Sequence, residues 1–399
     1  MNPLESGPRE ASVQGNGILF ISHDAMRTGA PIALLHFLRW LKRNGNRPFS
    51  VLLGRGGDLV ADFEEVAETW SIDRSHWCPG GLRTGLLTAA GLGAWAQRAE
   101  TVDARRFAAR CSPVLVYTNS IASARVIEVL APQVPVLTHV HELGFVFREC
   151  ASPALSQLLA KTRRFIACSE AAREYLLAEY KIPAARIETV YESIPVAEVL
   201  AKRTREQVLQ ELHIPEDAFV VAGSGTVGWR KGTDLFVQLA QAVCRHHSRV
   251  YFAWVGGGWG LDSAQLEHDV RLAGLGERVR ITGVVSKSAD YLAAADVFVL
   301  TSREDPYPLV CLEAAALQKP IVCFAGAGGI PEFVEGDCGF VVPYLDIMAM
   351  ADCALSLFDS SDRRLTMGAA ARRKVAQRHD IGQTAPRIME IIERTISRG

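Results

Sequence analysis

The stretch Ser302–Val334, SREDPYPLVCLEAAALQKPIVCFAGAGGIPEFV, decides how this chain folds. An apolar run, DVFVL at 296–300, leads into a short polar turn that carries Asp305. Glu313 follows eight positions later, in a segment that reads as a helix. A second apolar run, PIVCF at 320–324, ends in a glycine loop and then Ile330-Pro331-Glu332. The order is strand, turn, helix, strand. One acid sits at the strand's C-terminal end and another one turn into the helix, with free N–H groups between them. Such a unit suits a sugar nucleotide: the helix N-terminus takes phosphates and the carboxylates take hydroxyls.

The same alternation extends in both directions. Short β-rich runs stand at 17–22, 49–54, 113–118, 135–140, 164–169, 219–224, 250–255, 278–282 and 339–343, with amphipathic helical stretches between them. The runs are continuously apolar, as expected for strands covered on both faces. Helical crossovers between them imply right-handed βαβ units and parallel sheets. The series starts twice. RFIACSEAAREYLL (164–177) closes a first set, and a charged helix over 200–212 precedes the strand that opens a second. We place the boundary near 193–200. The expected architecture is α/β: two Rossmann-like domains facing each other across a cleft, over 1–195 and 196–380. An amphipathic helix at 381–399 packs back toward the first, and residues 1–16 are expected to be disordered.

Composition supports this. The chain has 399 residues, 49% of them apolar, enough for two or three cores. A net charge of −1 argues against nucleic acid as a partner. Nine cysteines are scattered without a C-x-x-C pair and read as small buried hydrophobes of a reduced, cytoplasmic protein. The N-terminus lacks the apolar core of a signal peptide, and no apolar run approaches the roughly 20 residues of a membrane span. Membrane contact, if any, is expected to be peripheral, at the inner face.

GSGTVGWRKG (223–232) follows a strand and opens a helix, satisfying G-x-G-x-x-G at Gly223, Gly225 and Gly228. A dinucleotide site also needs an acid after the next strand. That strand ends in GGGWG, so NAD is discounted and the loop reads as an anion cradle. Arg230 and Lys231 as a merely solvated pair is the plainer alternative, but cations are disfavoured at a helix start unless an anion faces them. Asp305 as a simple cap and Glu313 as an exposed helix residue are likewise the plain readings. Val310, Cys311, Leu312 and Ala314 around Glu313 make an unpartnered carboxylate costly there. HVHE (139–142) ends a strand, where parallel sheets bind ligands. No third residue stands at a metal-like spacing and there is no Asp-x-Asp pair, so no metal is expected. His23-Asp24 and Thr28-Gly29 lie in the first βα turn, before Pro31 near the start of a helix. Arg27, Arg39 and Arg43 suit anionic acceptors or lipid head groups, and equally a solvated helix face.

Asp305-x7-Glu313 and Lys231-Gly232 resemble the acid-x7-Glu and Lys-Gly motifs of the retaining glycosyltransferases of family 4, the group 1 enzymes of GT-B fold. The resemblance is strong over 219–334 and weak over 1–150. It implies a metal-independent, retaining transfer of a sugar from a nucleoside-diphosphate sugar, most simply a UDP-sugar, to a saccharide or lipid-linked saccharide acceptor, with no cofactor. It places Lys231 and Arg230 on the diphosphate, Glu313 on the ribose and Asp305 by the donor sugar's hydroxyls. The N–H groups of Leu309 and Val310 face phosphate, because Pro308 has none. His141, with His139 as the alternative, contacts the donor sugar. Gly29 approaches the phosphates, and Val284, in GVV (283–285), reads the base. Where the family has Gly-Arg this chain has Gly225-Thr226, and it has Asp305 where the family usually has Glu. A sugar-nucleotide epimerase and a non-catalytic nucleotide-sugar-binding protein are the rival readings.

Overall fold

The computed structural model describes residues 17–73, 93–258 and 260–397. Residues 1–16, Cys78 and Trp259 of the GGGWG loop lie outside them. The described residues build two parallel sheets. The first contains β1 (Gly17–Ser22), β2 (Phe49–Arg55), β3 (Glu68–Asp73), β4 (Pro113–Asn119), β5 (Val136–Val140), β6 (Thr162–Ala167) and β7 (Ile187–Thr189). The second contains β8 (Phe219–Ser224), β9 (Val250–Val255), β10 (Val279–Ile281), β11 (Val297–Leu300), β12 (Ile321–Phe324) and β13 (Gly339–Val342).

The strand orders are β3-β2-β1-β4-β5-β6-β7 and β10-β9-β8-β11-β12-β13. Each order reverses once, between β1 and β4 and between β8 and β11. A crevice opens at such a reversal, outside the strands' carboxyl ends. The loops after β8 and β11 are therefore neighbours for topological reasons. Those loops carry Lys231 and Asp305.

The two expected Rossmann-like domains are present, and their strands fall where the apolar runs lie. β3 and β7 are additional. β3 (ETWSID) is a polar sheet edge with Glu68 exposed and Thr69 to Ile72 half-buried, and β7 has three residues. The charged helix expected over 200–212 spans only Arg205–Glu211. Its start is fixed by a capping box: Thr204 Oγ1 accepts from Gln207 N, and Gln207 Oε1 accepts from Thr204 N. The N–H groups of Lys202 and Arg203 donate instead to Asp290, at 2.6 and 3.2 Å.

The outer apolar layer of the first sheet includes Phe20, Leu34, Leu38, Val51 and Phe63. It is completed by Ala385, Ile388, Ile391 and Ile392 of the helix Ile381–Ser397. That helix thus packs on the first sheet after the chain has crossed to the second and back. Around the crossing, Ile194 bridges Asp380, with Ile194 N on His379 O and Ile381 N on Ile194 O, each 3.0 Å. Another apolar cluster runs from Leu19 and Val116 of the first sheet through Ile194 and Val196 to Val220 and Phe298 of the second.

Candidate active site

At the second reversal, Asp305 is buried, 5% exposed. Lys231 Nζ lies 2.5 Å from its Oδ2, Ser302 Oγ 3.1 Å from the same atom, and Arg230 Nη1 3.5 Å from Oδ1. Burial works to raise the Asp305 pKa, but the Lys231 and Arg230 charges outweigh it and hold the carboxyl below its usual range. Arg230 also donates to Glu304 O at 3.0 Å. The cations that the sequence aims at an anion thus meet one within the protein.

Two glycines permit this meeting. Gly232, at φ +66°, begins the helix Thr233–Cys244, and a Cβ there would lie 2.0 Å from Thr301 O. Gly328, at φ +141°, brings the IPE loop against the turn, and its Cβ would lie 1.8 Å from Asp305 O. Asp305 N donates to Ala327 O at 2.7 Å, so the turn is stitched to that loop as a short bridge. Only a residue without a Cβ fits at either place.

The helix Leu309–Ala316 starts behind Pro308. Among the described residues no carbonyl accepts from Leu309 or Val310 N–H, which leaves both open at a helix N-terminus. Glu313 projects from the same helix. Its carboxylate accepts from Ser288 Oγ at 3.0 Å, and desolvation raises its pKa despite that bond. Ser288 opens the helix that follows the Gly283–Val285 loop. Gly283 and Val284 of that loop, with Val227, Gly257, Gly258 and Thr282, line a cavity of about 300 Å³. Val284 is 71% exposed at its rim.

On the first sheet, Gly29 opens the helix Gly29–Asn44, and no heavy atom would crowd a Cβ there. His141 follows β5. Its Nδ1 is bonded to the Glu192 carboxylate, and its Nε2 lies 2.8 Å from Asn119 Oδ1. His139 packs beside it, ring centres 4.0 Å apart, with Nδ1 2.6 Å from the Tyr117 hydroxyl. Burial, and then the His141 charge, push the His139 pKa well down. Both ring nitrogens of His141 have partners, and His139 Nε2 is a buried atom with none. Ligand atoms of His141, Cys168 and Glu192 fall within 4.8 Å of one another, a grouping that spacing along the chain could not reveal. A metal-binding imidazole must present a lone pair, whereas each His141 nitrogen here faces an acceptor oxygen.

The domains meet through carboxylates set on helix starts. Glu332 of the IPE motif accepts from Glu170 N and Ala171 N, both at 3.0 Å, where the helix Glu170–Glu179 begins. Glu304 accepts from Phe145 N at 2.9 and 3.1 Å. Phe145 in turn faces Trp229, with ring centres 5.4 Å apart. Sequence reasoning passed over Asn119, Glu192 and Glu304. Only Glu332, in a quoted motif, carried a signal.

Two family models match the chain in tandem: "Glycosyltransferase Family 4" over residues 28–198 and "Glycosyl transferases group 1" over 216–360. A D-inositol 3-phosphate glycosyltransferase of Catenulispora acidiphila is 30% identical over 264 residues, 61% of this chain and 63% of the relative. The lipopolysaccharide core mannosyltransferase LpsB of Rhizobium meliloti is 30% identical over 175 residues, 42% of this chain and 50% of the relative. The match thus spans under two thirds of either relative. Among solved structures, Anabaena HepE in complex with UDP and glucose superposes with a TM-score of 0.77 at 19% identity, covering 94% of this chain and 99% of that one. This likeness shows the GT-B fold.

Proposed function

From the premise that the chain belongs to the group 1 glycosyltransferases, with one family model on each half, we propose that it transfers a glycosyl group from a nucleoside-diphosphate sugar to a saccharide acceptor. The domain to about residue 195 faces the acceptor and the domain from 196 carries the donor. The donor is a UDP-sugar, the anomeric configuration is retained, and no metal takes part. The acceptor is a saccharide or lipid-linked saccharide, as in the assembly of a polysaccharide or glycoconjugate, and the protein works in the cytoplasm.

The observation that carries this reading is the convergence of Lys231, Arg230, Asp305 and the open Leu309 and Val310 N–H groups at one strand-order reversal. The diphosphate is a stronger anion than one carboxylate. In this reading it takes Lys231 and Arg230, and Asp305 turns to the hydroxyls of the donor sugar. The developing charge on the leaving diphosphate then meets two cations and a helix N-terminus already in place, a preorganised arrangement that dominates such catalysis. Glu313 takes the ribose, and the cavity rimmed by Val284 takes the base. Retention follows from attack on the face that the diphosphate leaves, with a phosphate oxygen accepting the acceptor's proton. No carboxylate nucleophile is assigned.

Titration calorimetry with UDP, GDP and ADP, followed by Lys231→Ala, tests the proposal. UDP binds in preference, and the alanine variant keeps its fold by circular dichroism while turnover of the UDP-sugar falls on the order of 100-fold or more. Activity persists in excess EDTA. Failure of all three nucleotides to bind overturns the donor assignment. Loss of activity on chelation with recovery in Mn²⁺ overturns metal independence.

A further inference from the structure

The proton inventory around His141 is closed. Asn119 Nδ2 donates to Ala30 O at 2.8 Å. A backbone carbonyl only accepts, so the Asn119 amide must turn its NH₂ group to Ala30 and its oxygen to His141. That oxygen, 2.8 Å from Nε2, has no proton to give, so Nε2 carries one. The Glu192 carboxylate on the other side likewise requires a proton on Nδ1. An imidazole that donates from both nitrogens is an imidazolium.

Glu192 is well placed to set this state. It lies between β7 and the start of the second domain, on the strand of chain that joins the two sheets. Its backbone carbonyl is 3.0 Å from His379 Nδ1, beside the second crossing. Its side chain and that of His141 are only 7% and 5% exposed. Two carboxylates face the imidazolium. Glu192 bonds the ring, and Glu142 Oε2 accepts His141's own backbone N–H at 2.9 Å and that of Ile121 at 3.4 Å. The remaining titratable neighbours are the His139 ring, the Tyr117 hydroxyl behind it, and the Cys168 thiol, which desolvation and then Glu192 and Glu142 keep protonated. Glu332 acts on the same thiol from the second domain.

We propose that Glu192 is a positioning residue, which with Asn119 holds His141 as a fixed imidazolium and ties its orientation to the segment joining the domains. The proposal rests on the donor reading above for its role in the reaction, and on the hydrogen-bond geometry for its existence. An imidazolium can donate a proton but cannot remove one. His141 therefore serves the donor end of the cleft as a fixed cation, not as a general base, with both of its N–H groups already given to Glu192 and Asn119. Burial alone would make the ring neutral; the Glu192 charge and hydrogen bond outweigh it, with help from Glu142, and raise the pKa above its ordinary 6.5.

The test is a histidine NMR titration of the full chain, with the His141 signals assigned by their loss in His141→Gln. In the wild type, both His141 nitrogens remain protonated to a midpoint above 6.5. In Glu192→Gln the midpoint falls by about one pH unit or more, and Glu192→Asp restores part of the difference. Hydrolysis of UDP-glucose without acceptor follows the same group: its alkaline limb moves to lower pH in Glu192→Gln. Calorimetry with UDP separates the two readings, because the charged partners proposed for the nucleotide, Lys231, Arg230 and Glu313, lie in the second domain and its affinity is unchanged by Glu192→Gln. If UDP fails to bind, the donor reading fails while the titration still decides the ion pair. A wild-type midpoint at or below the ordinary value, or one unmoved in Glu192→Gln, overturns the proposal.

Discussion

Asp305 and Glu313 are both carboxylates at one end of one sheet, and their surroundings give them opposite energetics. Asp305 is held ionised by Lys231 and Arg230 against its own burial. Its pairing therefore stabilises the fold fully above its ordinary 3.8, and that stability is lost as pH falls through the lower native value. Glu313 has only a serine hydroxyl, and desolvation raises its pKa. Its favourable state is the protonated one, complete below 4.5 and lost as pH rises through the higher native value. Glu313→Gln should accordingly melt higher than the wild type at pH 7, with the difference vanishing below about 4.5. It should also bind UDP roughly 10- to 150-fold more weakly, through a lost charge-assisted hydrogen bond. Asp305→Asn should leave UDP affinity nearly intact and depress turnover. Melting curves across pH, with calorimetry on both variants, check the contrast; equal losses of UDP affinity would mean that the roles are wrongly divided. Glu313 was readable from its apolar neighbours and Lys231 from the Gly-rich loop. Glu192 was not, because it reaches His141 across 51 positions of sequence and nothing local marks it.

At the level of elements, the sequence announced the strands that are covered on both faces and stayed silent on those at the margin. β3 has just Trp70 and Ile72 as apolar residues among its six at a sheet edge, too short a signal beside the continuous apolar runs that mark the covered strands. The charged helix was placed but drawn too long, because Asp290, 88 positions from Lys202, claims the preceding N–H groups. The loops that build the site were visible as glycines without showing what each glycine admits. Gly328→Ala supplies a test. The new methyl collides with Asp305 O at a φ of +141° that L-residues rarely adopt, so the bridge between the IPE loop and the Asp305 turn must open. Backbone strain of this kind costs of order 1–3 kcal/mol. The expected result is a lower denaturant midpoint together with weakened donor binding. Unchanged stability would show that the loop has room to give.

At the scale of the whole molecule, the cleft is closed by two carboxylates of the second domain on backbone N–H groups of the first, Glu332 on Glu170 and Ala171 and Glu304 on Phe145. Neither carboxylate is among the groups proposed to hold the nucleotide. Replacing both with Ala should lengthen the mean distance between fluorophores placed one on each domain and lower turnover, with little change in UDP affinity. A distance distribution like that of the wild type would mean that the apolar contact through Ile194 and Val196 suffices. The return of the helix Ile381–Ser397 to the first sheet bears on how the protein is made. Synthesis is vectorial, and domains ordinarily fold as they leave the ribosome. Here the first sheet emerges early with the groove for Ile388, Ile391 and Ile392 empty, and must wait through some two hundred further residues before its last helix is translated. The second domain, whose apolar layers reach Leu357, Met367 and Val375 but take nothing from the helix Ile381–Ser397, can close first. The order of completion on the ribosome is thus the reverse of the order of translation, and a stall late in the message would strand the first domain, not the second.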